Sequence, residues 1–143
     1  MAIRRLTKSD RPQSLGAFKP VGHVVVALRD DETALAAIAS LHAAGFEPDD
    51  ILHYNADEEG AQMEQMLDHA SEFAGFGYEI TLMRRYRSLS REGCSWLLVF
   101  APDDAHAARV AEVARRHDAR LAEKYHWLVV EDLAMVLVLV LLP

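Results

Sequence analysis

Residues 23–31 read His-Val-Val-Val-Ala-Leu-Arg-Asp-Asp, and residues 96–104, Trp-Leu-Leu-Val-Phe-Ala-Pro-Asp-Asp, repeat the pattern. In both stretches a run of apolar residues is followed by two aspartates. The run favours a buried strand, because β-branched and aromatic side chains fit a packed, pleated surface. The aspartates favour the start of a helix, where a carboxylate accepts backbone N–H groups and is stabilised by the helix dipole. Each stretch therefore predicts a strand leading into a helix, and the cap explains the paired carboxylates without catalysis.

The helix that follows the first stretch is predicted from apolar residues at helical spacing. Leu35, Ile38 and Leu41 would form its buried face. Gly45 is expected to end the helix, because glycine adopts a positive φ at a helix C-terminus without steric cost. A strand over residues 50–54 then completes a βαβ unit.

The second stretch begins a similar unit. Laid over residues 23–54 without gaps, residues 96–127 repeat the order of strand, Asp-Asp cap, helix and a histidine followed by an aromatic residue. Two tandem βαβ units predict an α+β domain of ferredoxin-like arrangement, with a four-stranded antiparallel sheet and two helices on one face. A doubly wound parallel sheet is the competing topology. It is disfavoured because the chain supplies too few strands and no Gly-rich phosphate-binding turn.

Residues 58–92 predict two further helices, inserted between the units as an antiparallel hairpin. Apolar residues recur in the first helix at intervals of three and four, which indicates one buried face. Its members are Met63, Met66, Leu67, Ala70, Phe73 and Ala74. The inward residues of the second helix are Leu82, Met83, Tyr86 and Leu89.

The remaining segments flank or end the predicted single domain, residues 21–143. Residues 1–20 contain five basic residues, one aspartate and two prolines without an apolar run, which predicts a flexible basic arm and not a secretory signal. Residues 119–130 predict one further strand, or two short strands with a turn near His126. Residues 133–142 contain no polar residue, yet are too short for a bilayer, which needs about 20 apolar positions.

The apolar C-terminal segment, residues 133–143, must be buried in the fold or against another copy, because an exposed apolar strand promotes aggregation. A homodimer contact is the favoured interpretation, and attachment to a membrane surface is the weaker alternative. The residues proposed for the dimer contact are Met135, Val136, Val138 and Val140.

Composition limits the function classes. A net charge of −7 argues against nucleic-acid binding, which needs a positive surface. Cys94 is the single cysteine, which excludes an internal disulfide and suits a reducing cytoplasm. Seven histidines occur without HxH, HxxxH or HExxH spacing, so no metal site or other cofactor is predicted. No base and orienting group accompany Cys94 or the serines, and the chain is predicted not to be an enzyme.

Two groups of residues remain as candidate sites. The pairs His53-Tyr54 and His126-Trp127 occupy the same place in the two units, and a twofold arrangement could bring them together as a pH-sensitive contact. Half-buried rings at strand ends are the plainer interpretation. Four arginines on the second inserted helix could bind an anion, although pairing with nearby carboxylates is more usual. They are Arg84, Arg85, Arg87 and Arg91.

One pattern in the first unit consists of Val25, Ala34, Ile38, Leu41, Gly45, Phe46, Asp50 and Ile51. With this pattern the unit resembles the YflT-like domain of bacterial heat-induced general stress proteins. The resemblance is best over residues 22–55 and looser over residues 94–131. The resemblance implies a cytoplasmic bacterial protein with a stress-associated, non-enzymatic role. That family has no established catalytic residues to carry over.

The sequence therefore predicts a stress-associated or regulatory domain that acts through self-association or a protein partner. The alternative is a sensor that binds an anion or a metabolite between the two halves or at a dimer interface.

Overall fold

The computed structural model describes residues 4–8, 21–68, 77–125 and 130–133. Five strands and four helices occur in these ranges, with a short 3-10 turn (Pro48–Asp50) before the second strand. In chain order they are β1 (His23–Leu28), α1 (Asp31–Ala43), β2 (Ile51–Tyr54), α2 (Ala56–Asp68), α3 (Gly77–Arg91), β3 (Ser95–Phe100), α4 (Asp104–Arg116), β4 (Leu121–Tyr125) and β5 (Val130–Asp132).

The strands form one sheet in the order β2-β3-β1-β4-β5, and every neighbouring pair is antiparallel. Because β3 lies between β1 and β2, and β1 lies between β3 and β4, the two βαβ units interleave. The prediction of an α+β fold with an antiparallel sheet is confirmed, while the finer ferredoxin-like assignment stays a prediction. β5 adds a three-residue strand at the edge, beyond the four strands of the predicted sheet.

Both Asp-Asp pairs begin helices, as predicted. The Thr33 N–H donates to Asp30 Oδ1 at 2.7 Å, and the His106 N–H donates to Asp103 Oδ1 at 2.8 Å. Hydrogen bonds from Thr33 lower the pKa of Asp30, and those from His106, led by its backbone N–H, lower the pKa of Asp103. These carboxylates are therefore ionised caps, which satisfy N–H groups that the helix leaves without partners.

Three helices end with the same backbone pattern. After α1, the Phe46 N–H donates to the Leu41 carbonyl at 3.0 Å and Gly45 has φ +103°, so the predicted end of the helix is confirmed. Gly93 ends α3 in the same way, with φ +97°. At the end of α4 this position is held by Asp118, with φ +53°. A residue with a Cβ atom adopts this conformation at a steric cost that glycine avoids.

The first face of the sheet is covered by α1 and α4. Here one prediction is wrong: Leu35 is 59 % exposed, and the buried face of α1 consists mainly of Ala34, Ala37 and Leu41. Alanines bring α1 close to its neighbours, and Leu35 lies about 100° around the helix from Ala34. The spacing of the large apolar residues predicts the wrong buried face, because alanines make the contact between α1 and the core.

The second face is covered by the inserted hairpin of α2 and α3. Met63, Met83 and Tyr86 are buried there against Trp96 of β3, which confirms the predicted inward faces at these positions. The described parts of α2 and α3 also pack against each other. Helices of the chain therefore pack on both faces of the sheet. Ala70, Phe73 and Ala74 lie outside the described residues, and so does the side chain of Met66.

The offset of 73 residues between the two halves holds for the first strand and the start of the helix of each unit, but not for the last strand. Val26 and Val99 occupy equivalent central positions and are 73 residues apart. Their partners on the flanking strands are Ala122 and Ile51, which are 71 residues apart. The connection from α4 to β4 is shorter than the one from α1 to β2, so the overlay shifts by two residues in the last strand of each unit.

The chain termini are described in part. Residues 4–8, within the predicted flexible arm, lie against the second face with Leu6 partly buried, and residues 9–20 are outside the described part. Leu133 follows β5 and is buried in the core of the first face, whereas residues 134–143 are not described. Within the described ranges, every helix is too short or too polar to cross a membrane.

Candidate functional site

His53 of β2 lies beside Ser95 of β3 and Asp31 at the start of α1. The His53 Nε2 atom is 2.6 Å from Ser95 Oγ and 3.5 Å from Asp31 Oδ1. The three side chains meet because β2 and β3 pair directly and α1 begins at the same end of the sheet. This grouping has the composition of a nucleophilic triad, although the three residues are far apart in the sequence.

The geometry of this grouping does not suit nucleophilic catalysis. In a catalytic triad the carboxylate binds Nδ1, so that Nε2 can accept the serine proton. Here Asp31 and Ser95 both face Nε2, which favours an N–H donor at that atom. Ser95 is also fully buried, so a substrate cannot reach its hydroxyl. His53 therefore joins β2, β3 and α1 as a structural hydrogen-bond donor.

The shift in the last strand of each unit changes the partner expected for His53. By strand pairing, His53 corresponds to Lys124 and Tyr54 corresponds to Tyr125. The sequence paired them with His126 and Trp127, which lie outside the described residues. In addition, β2 and β4 are separated by β3 and β1, so they are not neighbours in the sheet. Equivalence between His53 and His126 is therefore wrong in this register.

A buried polar cluster lies between α3 and β4, on the second face of the sheet. The Tyr86 hydroxyl is 2.8 Å from the Tyr125 hydroxyl and donates to Glu123 Oε1 at 3.5 Å. Tyr86, Tyr125 and Glu123 are at most 5 % exposed, and Glu59 of α2 is buried nearby at 1 %. We call Tyr86, Tyr125 and Glu123 the tyrosine–glutamate cluster. It forms because Glu123 and Tyr125 are two positions apart on β4, so both side chains face the hairpin.

Burial raises the pKa of Glu123 to about 7, and the charge of Asp132 adds to the rise. The charge of Arg85 and the hydrogen bond from Tyr86 act in the opposite direction, but desolvation outweighs them. Desolvation also raises the pKa of the Tyr86 phenol, which stays protonated. The cluster can therefore hold or release one proton near neutral pH. Its burial keeps it from contact with a substrate.

The sequence did not indicate this cluster. The stretch Leu121–Tyr125 has two adjacent charges, Glu123 and Lys124, a pattern typical of a solvated strand or turn. Instead both are buried, on opposite faces of the sheet, and Lys124 Nζ donates to the Ala101 carbonyl on the first face. One feature of the sequence does indicate burial: Leu121 and Tyr125 lie two positions before and after Glu123, so all three share one face of the strand.

The four predicted anion-binding arginines are divided by the structure. Arg87 and Arg91 face α2, where Arg91 Nη2 is 2.7 Å and Arg87 Nε is 3.7 Å from Glu64 Oε1. Both arginines line an open groove of about 300 Å³ between α2 and α3. Arg84 and Arg85 are exposed, and the positive charge of Arg85 lowers the pKa of Glu123. Glu64 is thus the carboxylate that pairs with Arg87 and Arg91.

Other predicted positions are less informative. Within the described ranges, three or more histidine, cysteine, aspartate or glutamate residues are nowhere grouped as they would be around a metal ion. Cys94 is buried, and burial raises the pKa of its thiol, which disfavours the reactive thiolate. The predicted dimer-contact residues fall outside the described residues; they are Met135, Val136, Val138 and Val140.

The comparisons with known proteins found no match, whether to protein-family models, to curated proteins or to solved structures.

Proposed function

We propose that this chain is a non-enzymatic regulatory domain that acts by self-association, through the edge strand β5 and the apolar segment that follows it. The observation that carries the proposal is the position of β5. It pairs with β4 alone in the described sheet, and the sequence after Leu133 continues with nine apolar residues. An edge strand that is followed in the sequence by apolar residues is suited to association with the same region of a second copy.

The arrangement of helices supports the same conclusion. α1 and α4 pack on the first face, and α2, α3 and residues 4–8 pack on the second, so the edges remain for association. A ligand held between the two halves, which is one of the two placements in the sensor alternative, would have to displace packed core residues. A homodimer contact at the edge requires no such change.

The proposed biological setting rests on a resemblance and on the single cysteine. The stress-associated role and the bacterial cytoplasm rest on the resemblance of residues 22–55 to YflT-like domains. The single cysteine, Cys94, is reduced and buried, which is compatible with a cytoplasmic location.

Sedimentation velocity on the full chain tests self-association. The full chain is expected to form a dimer, and Val138→Lys is expected to be monomeric, since two like charges would meet at a symmetric contact. Leu35→Lys is the matched control, because Leu35 is a large exposed apolar residue on α1. The control should leave the dimer intact.

Circular dichroism and thermal unfolding of the same variants give the contradicting outcomes. A full chain that is monomeric at every concentration contradicts the proposal. Loss of the fold in Val138→Lys also contradicts it, because the segment would then belong to the core of a single copy.

An anion sensor is the second candidate function, and the groove beside Arg87 and Arg91 favours it. Its volume is at the lower end of the range for ligand sites, and Ser90 adds a hydroxyl to its lining. Phosphate or a nucleotide would then raise the unfolding temperature, and Arg87→Gln with Arg91→Gln would remove the rise. Arg84→Gln is the control. A rise that persists in the double variant contradicts this candidate.

A further inference from the structure

Residues 4–8 cross the part of the second face that the hairpin leaves uncovered. Arg5 Nε is 2.8 Å from Asp50 Oδ1, and the Arg5 guanidinium lies 5.7 Å from the centroid of the Phe100 ring. The Leu6 N–H donates to His23 Nε2 at 3.2 Å, and the Leu6 side chain packs on the apolar cluster of this face. One end of the segment is therefore held by charge, an aromatic ring and a backbone hydrogen bond.

The other end is held in a similar way. Lys8 Nζ lies 4.8 Å from the centroid of the Tyr54 ring and 3.6 Å from Glu58 Oε2. Asp50 precedes β2 and Tyr54 ends it, so the two basic residues contact the two ends of this strand. The surface beneath the segment, which we call the β2 surface, thus offers two carboxylates, Asp50 and Glu58, beside two aromatic rings, Phe100 and Tyr54.

Residues 4–8 are held by a few individually weak contacts, so another peptide could replace them. The Lys8–Glu58 pair is exposed, whereas the Asp50 side chain that pairs with Arg5 is only 12 % exposed. Exposed ion pairs contribute about 0.2–1 kcal/mol each, and cation–π contacts at exposed sites contribute about 0.5–1 kcal/mol. A segment held by a few such contacts opens more readily than the core. The chain other than residues 1–20 carries the negative charge of the protein, which favours a basic ligand at the opened surface.

We infer that the β2 surface is a docking site for a basic peptide of a partner protein, with the pattern Arg-Leu-x-Lys, and that residues 5–8 are its built-in competitor. Partner and competitor share one chemistry: two cations that pair with Asp50 and Glu58, and an apolar residue between them that packs on the face. Binding of the partner releases residues 4–8. This surface lies on β2, apart from β5 and the C-terminal segment, so the inference does not depend on the proposed dimer.

The test uses fluorescence anisotropy of a labelled peptide with the sequence of residues 2–9, Ala-Ile-Arg-Arg-Leu-Thr-Lys-Ser. The proteins are the full chain and its double variant Arg5→Gln with Lys8→Gln, whose own segment no longer competes. An attached competitor acts at an effective concentration in the millimolar range, so the double variant should bind the peptide about tenfold more tightly. Arg84→Gln with Arg115→Gln is the control, because it removes the same charge elsewhere, and its affinity should equal that of the full chain.

Two further comparisons define the site. Adding Asp50→Asn and Glu58→Gln to the double variant should abolish binding, since the peptide cations lose their partners. A scrambled peptide of the same composition should bind no variant tightly. Equal affinity for the scrambled peptide, unchanged binding without the two carboxylates, or equal affinity of the double variant and the full chain would each overturn the inference.

A measurement on the unmodified chain avoids any effect of substitutions on folding. Hydrogen exchange at the Leu6 amide is expected to be about tenfold slower than in the free peptide, and an excess of the peptide should accelerate it. Exchange as fast as in the free peptide before any peptide is added overturns the inference. Self-association of the full chain that disappears in the Arg5→Gln, Lys8→Gln variant also overturns it, because the occupant is then residues 4–8 of a second copy.

Discussion

Replacement of Glu123 by glutamine tests the tyrosine–glutamate cluster. Glutamine keeps an oxygen that can accept the hydrogen bond from Tyr86, and it is neutral at every pH. The pKa of Glu123 in the folded chain is about 7, against 4.5 for an ordinary glutamate. A carboxyl whose pKa is raised by folding contributes stability below its unfolded pKa, and this contribution is lost as pH rises through the folded pKa.

The size of the effect follows from these two values. At 1.36 kcal/mol per pKa unit, the largest possible contribution is about 3 kcal/mol. Between about pH 5.5 and pH 8 the contribution falls by about 2 kcal/mol. The full chain should match Glu123→Gln only well below pH 4.5, where both side chains are neutral in the folded and unfolded states. It should be less stable than the variant by about 1 kcal/mol at pH 5.5 and by about 3 kcal/mol at pH 8.

Urea unfolding, followed by circular dichroism across this pH range, measures the effect. Other groups also titrate, so the informative quantity is the difference in unfolding free energy between the full chain and the variant at each pH. Glu112→Gln is the matched control. The Glu112 carboxylate is exposed, and the hydrogen bond from Arg115 lowers its pKa, so it stays ionised throughout this range. A difference that does not change with pH in Glu123→Gln would refute the assignment of a proton to Glu123.

The remaining predictions concern packing and backbone conformation. Asp118→Gly should raise the unfolding free energy by about 0.5–1 kcal/mol in urea titrations, because Asp118 has a positive φ, and a destabilised variant would contradict the helix end. Ala111→Leu should lower it by about 1–3 kcal/mol, because Ala111 is buried in the core between α1, α4 and the sheet, whereas Leu35→Ala should change it by less than about 0.5 kcal/mol. Equal effects of these two substitutions would contradict the orientation of the helices. Glu123→Leu should be at least as stable as the full chain at about pH 8 in the same titrations, since removal of a whole buried charge is often stabilising.

The local features of the fold could be predicted from the sequence because each depends on a few neighbouring residues. The Asp30 and Asp103 caps, the Gly45 helix end and the helical hairpin are of this kind. The orientation of α1 could not be predicted from large apolar residues, because alanines make its closest contacts. The candidate sites were harder still, since His53, Ser95 and Asp31 come together only through the pairing of β2 with β3. Such a contact follows from strand order, which no local pattern contains.

The internal repeat gives a reason to treat Glu123 as more than a packing residue. In the register set by the central strands, Glu123 corresponds to Leu52, while Tyr125 corresponds to Tyr54. The first unit therefore builds the same strand position with an apolar side chain and needs no acid there. A buried acid that replaces leucine costs desolvation, and its hydrogen bond to Tyr86 is long at 3.5 Å. Stability alone thus favours leucine at position 123, and the glutamate couples the contact between α3 and β4 to pH near neutrality.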